Sequence, residues 1–409
     1  MNAINVNRIL ILIFCCITSL AKAQVYIDGG KTRHRFAQSN YGMVHKFYGY
    51  KSGSLIFSDG SREALETQQD TRIVIGGQHF WGHADFLISI PVFRTKNATY
   101  SSRVETAFRY FPWRVQESKL RPYLGAAFIP ASFYKGDGAQ LYWIEFPLST
   151  GIVYQKKSLL VELGTAWNGS TARSYYVGKS DVATFQAPRW HFSLGLKWIF
   201  DSTLSAEQSW QSGKTARLTD TLAKLNRLNG LTLAVGPSSA FYLKDSPLNQ
   251  GDYAFFHQHR ISRVFPEFGI GYYWHKPDLQ VNVSYRGIRS DQKAFGETQT
   301  AKRNALSLEA YHFFTDYHGF SVFAGPCISL ESLSLQQTSQ TDLQKTMVRP
   351  GLIFGWDIRP NRLQVFYLRT NLRWFPGLKL NTSAGDTSFR FDQLEFNFIQ
   401  VVLFPGRIF

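Results

Sequence analysis

Two short motifs place reactive side chains within reach of each other. In His191-Phe-Ser193 a histidine and a serine stand two residues apart. On an extended strand, positions i and i+2 share a face, so the imidazole could take the hydroxyl proton. Such a pair also needs an acidic group to orient the histidine. The alternate positions Phe192, Leu194, Leu196, Trp198 and Phe200 make an apolar face, which turns the pair to the opposite, polar side. His257-Gln-His259 offers two metal ligands, but no Cys, Asp or third His accompanies it at a suitable spacing. Beside Phe255 and Phe256 it reads as packing. Gly269-x-Gly271 lacks the strand-to-helix setting of a nucleotide loop. The expectation is therefore no catalytic residue, no metal site and no cofactor.

The charged residues that remain sit inside alternating runs. Ala84 to Val92 sets Phe86, Ile88, Ile90 and Val92 against Asp85, Leu87, Ser89 and Pro91. Leu279 to Arg286 sets Leu279, Val281, Val283 and Tyr285 against Gln280, Asn282, Ser284 and Arg286. Period two means strands with one oily and one polar face. The polar face carries Glu105, Arg109, Glu145, Glu162, Lys197, Arg286, Glu309, Arg349 and Asp357, the residues expected to line a barrel interior.

Composition supports an outward oily face. Aromatic residues make up 16% of the chain, yet mean hydropathy is −0.20. A barrel reconciles the two by showing rings to lipid and keeping polar groups inside. Formal net charge is +16, but the basic residues are not gathered on one helix or stripe, so nucleic acid is not an expected partner. Several fall at tight turns instead (Arg114, Lys119, Lys156, Lys157, Lys276, Arg359, Arg362), where they suit anionic lipid phosphates.

Residues 1–23 read as a secretory signal: Arg8, then the mostly apolar Ile9 to Leu20, then Ala21-Lys22-Ala23 before the cut. Removing it would leave Cys327 as the sole cysteine, so no internal disulfide could hold the exported chain.

Short turns alternate with long polar stretches at 38–70, 168–189, 289–304 and 376–391. On that basis each of two units holds eight strands. In 24–200 they lie near 25–36, 71–81, 84–94, 103–111, 121–132, 142–155, 158–167 and 190–200. In 231–409 they lie near 231–243, 263–275, 279–289, 305–314, 320–334, 348–358, 363–375 and 393–404. Trp81-x-x-x-Asp85 recurs as Trp274-x-x-x-Asp278, Glu105 as Glu309, Tyr123-x-Gly125 as Phe323-x-Gly325 and Gly151 as Gly351, in order. That pattern predicts duplication. The strand near 363–375 is out of phase with its counterpart, which predicts a bulge. Between the units, 201–230 is expected to be a periplasmic linker with a helix carrying Leu218, Leu222 and Leu225, capped by Gly230.

The aromatic run Leu394 to Phe404, the terminal Phe409 and the near copy Trp190 to Phe200 resemble closing strands of the outer-membrane β-barrel proteins of Gram-negative bacteria. The resemblance covers essentially all of 24–409. It implies an all-β transmembrane barrel in the outer membrane, in contact with lipid and lipopolysaccharide and assembled by the outer-membrane insertion machinery. One sixteen-stranded ring is favoured over two eight-stranded rings. A wide ring would leave a water-filled lumen, making a passive pore or transport component the first expectation; two narrow rings would be filled by their own side chains and conduct nothing. The alternative is thus a non-conducting structural or interaction barrel, in adhesion, envelope integrity or a secretion or uptake complex. His191 and Ser193 also resemble the His-x-Ser pair of outer-membrane lipid A deacylases, which leaves a lipid-modifying hydrolase as a remote third reading.

Overall fold

A computed structural model describes residues 38–48, 53–65, 69–79, 82–95, 99–136, 138–169, 171–201, 224–256, 261–314, 320–338, 342–358, 366–381 and 387–407. The signal segment, the strand expected at 25–36, His257, His259, Phe409 and most of the linker lie outside them.

Among these residues, sixteen barrel strands run in simple up-and-down order. In the first unit they are β1 (Gln38–Tyr48), β2 (Gln69–His79), β3 (Ala84–Arg94), β4 (Glu105–Tyr110), β5 (Leu120–Phe133), β6 (Leu148–Lys156), β7 (Leu159–Trp167) and β8 (Trp190–Asp201). The second unit holds β9 (Gly230–Tyr242), β10 (Phe265–Trp274), β11 (Leu279–Ala294), β12 (Glu297–Phe313), β13 (Phe320–Gln337), β14 (Leu343–Ile358), β15 (Phe366–Trp374) and β16 (Gln393–Leu403).

Each unit closes on itself. β8 pairs antiparallel with β1 from Gln38↔Asp201 to Tyr48↔His191, and β16 pairs with β9 from Leu233↔Leu403 to Tyr242↔Gln393. This corrects the single ring of sixteen: the strands form two rings of eight. Glycine lets the backbones approach closely at each closing seam, as it does between other strands of the rings. A Cβ at Gly42 of β1 would run into the Leu196 carbonyl of β8, and one at Gly236 of β9 into the Ile399 carbonyl of β16. Close backbone approach at a sharply curved seam demands the missing side chain.

Other boundaries differ from expectation too. β1 occupies part of the expected 38–70 loop, and β11 and β12 run through 289–304 to a turn at Phe295-Gly296. The single strand expected at 142–155 is two, Leu141–Glu145 and β6. Gly230 opens β9 instead of capping a helix, and the described end of the linker, Lys224–Leu228, is mainly turn. The bulge expected in β15 falls on its partner instead: from Arg369↔Gln400 to Asn371↔Asn397 a step of two on β15 meets a step of three on β16, and the β9 register slips at the same stretch of β16.

Alternation sorts each strand into two faces. Along β8, Trp190, Phe192, Leu194, Leu196 and Trp198 are each roughly half exposed, while His191, Lys197 and Ile199 are buried. Comparable exposed rows run along β7 (Leu159, Val161, Leu163), β10 (Phe268, Ile270, Tyr272) and β12 (Leu306, Leu308). In water such rows would be costly; against acyl chains they cost little.

The rings touch. Phe128 of β5 packs edge-on against Phe241 of β9 at 5.0 Å and lies 5.2 Å from Phe396 of β16, while Phe86 stacks on Phe320 at 5.7 Å.

Candidate functional site

Both interiors are built in the same three layers. At the short-turn end of the first ring, Phe111, Val115, Tyr123, Val153, Leu160 and Ile199 pack into an apolar floor. The second ring has a larger one that includes Tyr273, Tyr311, Phe313, Phe323, Tyr367 and Phe404. Tyr123 and Phe323, paired in the sequence comparison, occupy matching places in these floors.

Ion pairs fill the middle layer. In the first ring Arg109 of β4 donates to Asp85 at 2.5 Å and to Glu162 of β7, across the lumen, at 2.7 Å. Lys197 of β8 meets the same Glu162 at 2.7 Å. Lys46 of β1 reaches Glu105 of β4 at 2.5 Å, and Arg72 joins Asp70 at 2.6 Å. A cavity of about 60 Å³ remains beside these groups, lined in part by Lys46, Glu105, His191 and Ser193. That is room for a few water molecules.

The second ring is braced more heavily. Arg373 of β15 meets Glu267 of β10 and Glu309 of β12, both at 2.6 Å. Arg286 of β11 pairs with Glu395 of β16 at 2.7 Å. Arg303 of β12 bridges Glu331 at 2.7 Å and Glu395, on the opposite wall, at 2.6 Å. Arg369 grips Asp357 with two hydrogen bonds of 2.7 and 3.0 Å. Its guanidinium lies 4.8–5.9 Å from the ring centres of Tyr311, Phe323, Tyr367 and Phe313. A planar cation with five donors suits such a role, satisfying a carboxylate in its plane while its faces meet aromatic rings. These arginines and carboxylates are at most 2% exposed.

The third layer sits at the long-loop end. Over the first ring, strands Ala172–Tyr176, Val182–Gln186, Ser54–Ile56 and Arg62–Ala64 form a separate small sheet. Its Leu55, Tyr175 and Phe185 pack with Tyr100, Phe133 and Trp143. Phe133 and Phe185 stack at 4.3 Å. The same core takes Phe255 and Phe256 from the second unit. Tyr175 donates to and accepts from the Lys135 backbone, and burial pushes its hydroxyl up to about 12. The second ring is capped by residues 376–381 and 387–391, whose Leu378, Leu380, Phe389 and Phe391 pack with Tyr242, Leu333 and Phe375.

Seven of the nine residues expected in the lumen are there and form ion pairs: Glu105, Arg109, Glu162, Lys197, Arg286, Glu309 and Asp357. Their partners lie on neighbouring strands, as for Asp357 with Arg369, or farther round the ring, as for Arg109 with Glu162. Glu145 is buried in the cap on Leu141–Glu145, where Tyr100, Trp143 and Asn168 donate to it. Arg349 shares the inward phase of β14 but stays half-buried, its Nε 3.3 Å from Met347 Sδ, with no carboxylate paired to it among the described residues. His191 and Ser193 both line the first ring's cavity, as their phase requires. Sequence reasoning missed Lys46, Arg72, Asp85, Glu267, Arg303, Glu331, Arg369, Arg373 and Glu395 as interior charges. Several already stood in polar phase within expected strands, so the signal was there.

The architecture is a closed eight-stranded antiparallel β-barrel, twice over. No family model matches the chain, and no curated protein matches it in sequence. Among solved structures it is similar to an outer-membrane channel from Pseudomonas putida, with a TM-score of 0.24 and 9% identity over 91% of this chain and 97% of that one. It is also similar to OmpT, an outer-membrane protein of Vibrio cholerae, at 0.17 and 8% over 90% and 99%. An anion-selective porin from Comamonas acidovorans stands at 0.17 and 9%, again over 90% and 99%. Likenesses this loose bear neither on the lumens nor on activity.

Proposed function

We propose that this chain is an integral outer-membrane protein whose two barrels are sealed scaffolds, and that it works through the folded extracellular surface they carry. The observation behind this reading is the Arg303–Glu395 pair at 2.6 Å, which spans the second ring from wall to wall between apolar layers. An eight-stranded ring is narrow enough for side chains to fill it. Ions would have to displace buried arginine–carboxylate pairs, and breaking one such pair typically costs ~3–5 kcal/mol. A passive pore, favoured on sequence, fits this interior poorly.

A lipid hydrolase built on His191 and Ser193 fits poorly as well. Their cavity of about 60 Å³ has no room for an acyl chain, and His191 is 4% exposed. The small sheet over the first ring favours an interaction role: Asp59, Gly60, Ser61, Arg62, Glu63 and Ala64 are all exposed at its edge. A strand edge with charged side chains can meet a partner while resisting indiscriminate pairing.

The test is single-channel recording in a planar bilayer with protein first shown to be folded by its heat-dependent gel shift. Silence is expected at voltages where a known porin conducts. Steady, voltage-tolerant openings would refute the sealed reading.

A further inference from the structure

We propose that the outer wall of the second barrel carries a binding site for the phosphate of an anionic outer-leaflet glycolipid, formed by Arg263, Arg289 and Lys302. The inference rests on the membrane reading above and names a ligand class for it.

The argument begins with height along the wall. A strand tilted by about 40° climbs roughly 2.6 Å per residue along the membrane normal, so an apolar band of about 25 Å takes about ten residues. Counted from Leu279, beside the short turn, the tenth residue of β11 is Ile288. The outward row agrees, running Val281, Val283 and Tyr285, then Gly287, then Arg289. Arg289 therefore stands where hydrocarbon gives way to headgroups.

Pairing carries the same level across the wall. Tyr285 pairs with Leu306 of β12, Gly287 with Asn304, and Arg289 with Lys302. Each step passes from apolar to small or polar to cationic on both strands. Arg263, just before β10, joins them by donating its backbone N–H to the Arg289 carbonyl at 2.8 Å.

The two arginines are also held in place. Asp291 accepts from Arg289 Nε at 2.8 Å and from Thr300 at 2.8 Å, and forms an ion pair with Arg263, whose Nε lies 2.7 Å away. Because one carboxylate takes both Nε atoms, the terminal nitrogens of each fork remain for another anion. The arginine side chains are 67% and 51% exposed, against 18% for the carboxylate that orders them. Three cations and one anion leave the patch at about +2. Arginine forks match phosphate oxygens well, and a lysine adds a point charge beside them.

The experiment uses the full mature chain folded in detergent, with bound lipid read by native mass spectrometry. The probes are bisphosphorylated lipid A, the same lipid with its phosphates removed, and inorganic phosphate. The wild type should retain the bisphosphorylated lipid at least tenfold better than the dephosphorylated form. Substituting Arg263→Ser, Arg289→Ser and Lys302→Ser together should abolish that preference with the gel shift intact. Removing the periplasmic-turn cations Lys119, Lys156 and Lys157 should leave it unchanged. Equal retention of both lipids, or an undiminished preference in the triple variant, would overturn the site. Displacement of the lipid by millimolar phosphate would point to a soluble anion and overturn it too. A chain that shows no gel shift in any form would instead defeat the membrane reading on which the site depends.

Discussion

Replacing Arg373 by methionine is the sharpest test of a filled second lumen. The side chain is 2% exposed and holds Glu267 and Glu309, each at 2.6 Å. After the change Glu309 keeps Ser284 at 2.6 Å and Arg286 at 3.5 Å. Glu267 keeps hydrogen bonds from Ser238, Asn397 and Gln400 at 2.8–3.1 Å, but no other cation bridges it among the described residues. The cost should therefore fall mostly on Glu267. Stranding one buried charge costs ~3–5 kcal/mol, or between two and nearly four powers of ten in the folding equilibrium at ~1.4 kcal/mol each. Urea titration in detergent, followed by the heat-dependent gel shift, reads the loss. Adding Glu267→Gln to Arg373→Met should recover ~1–3 kcal/mol, because the orphaned charge is gone. If Arg373→Met costs less than ~1 kcal/mol, water must already solvate these carboxylates and the sealed interior is refuted.

Other consequences are equally accessible. Gly164→Ala should destabilise the first ring by ~1–3 kcal/mol, since the new Cβ meets the Tyr123 hydroxyl and lies 2.8 Å from Ser193 Oγ; urea midpoints read it, and an unchanged midpoint would contradict the packed floor. A variant whose sole tryptophan is Trp198, 47% exposed on the outer wall, should be quenched by brominated lipid, whereas one retaining just Trp143, 4% exposed in the cap, should not. The cap should also weaken at high pH through Tyr175. Its folded value near 12 exceeds the ordinary 10, so the stabilisation it gives is complete below pH ~10 and is lost as pH rises toward 12. Wild type should lose stability through that window, whereas Tyr175→Phe, already without the two Lys135 hydrogen bonds, should start lower and show no such loss there.

The outward apolar rows were the most legible part of the chain. Lipid tolerates large apolar residues at every second position, and Trp190 to Trp198 shows that rhythm without interruption. β1 was hidden because its inward positions are Asn40, Gly42 and Lys46, which resemble a polar loop until Tyr41, Met43 and Phe47 are seen to share the other face. Closure was the hardest to read. It depends on which edge meets β8, and that pairing joins Gln38 to Asp201, a distant partner for which alternation carries no sign. The charges were found one strand at a time, whereas their meaning lies across the lumen. Arg373 and Glu267 are 106 positions apart, and no local pattern announces that they touch. Glu145 was misplaced for a related reason: its strand pairs with the top of β5 but stands outside the ring.

Phe255 and Phe256 come from the second half of the chain, yet they complete the lid over the first half. During synthesis the first ring has all eight of its staves by Asp201, so its seam can be joined early. Its roof must wait for two aromatic rings that emerge more than fifty residues later. The finished roof therefore depends on the whole polypeptide: a chain lacking its second half would leave that lid short of two aromatic rings.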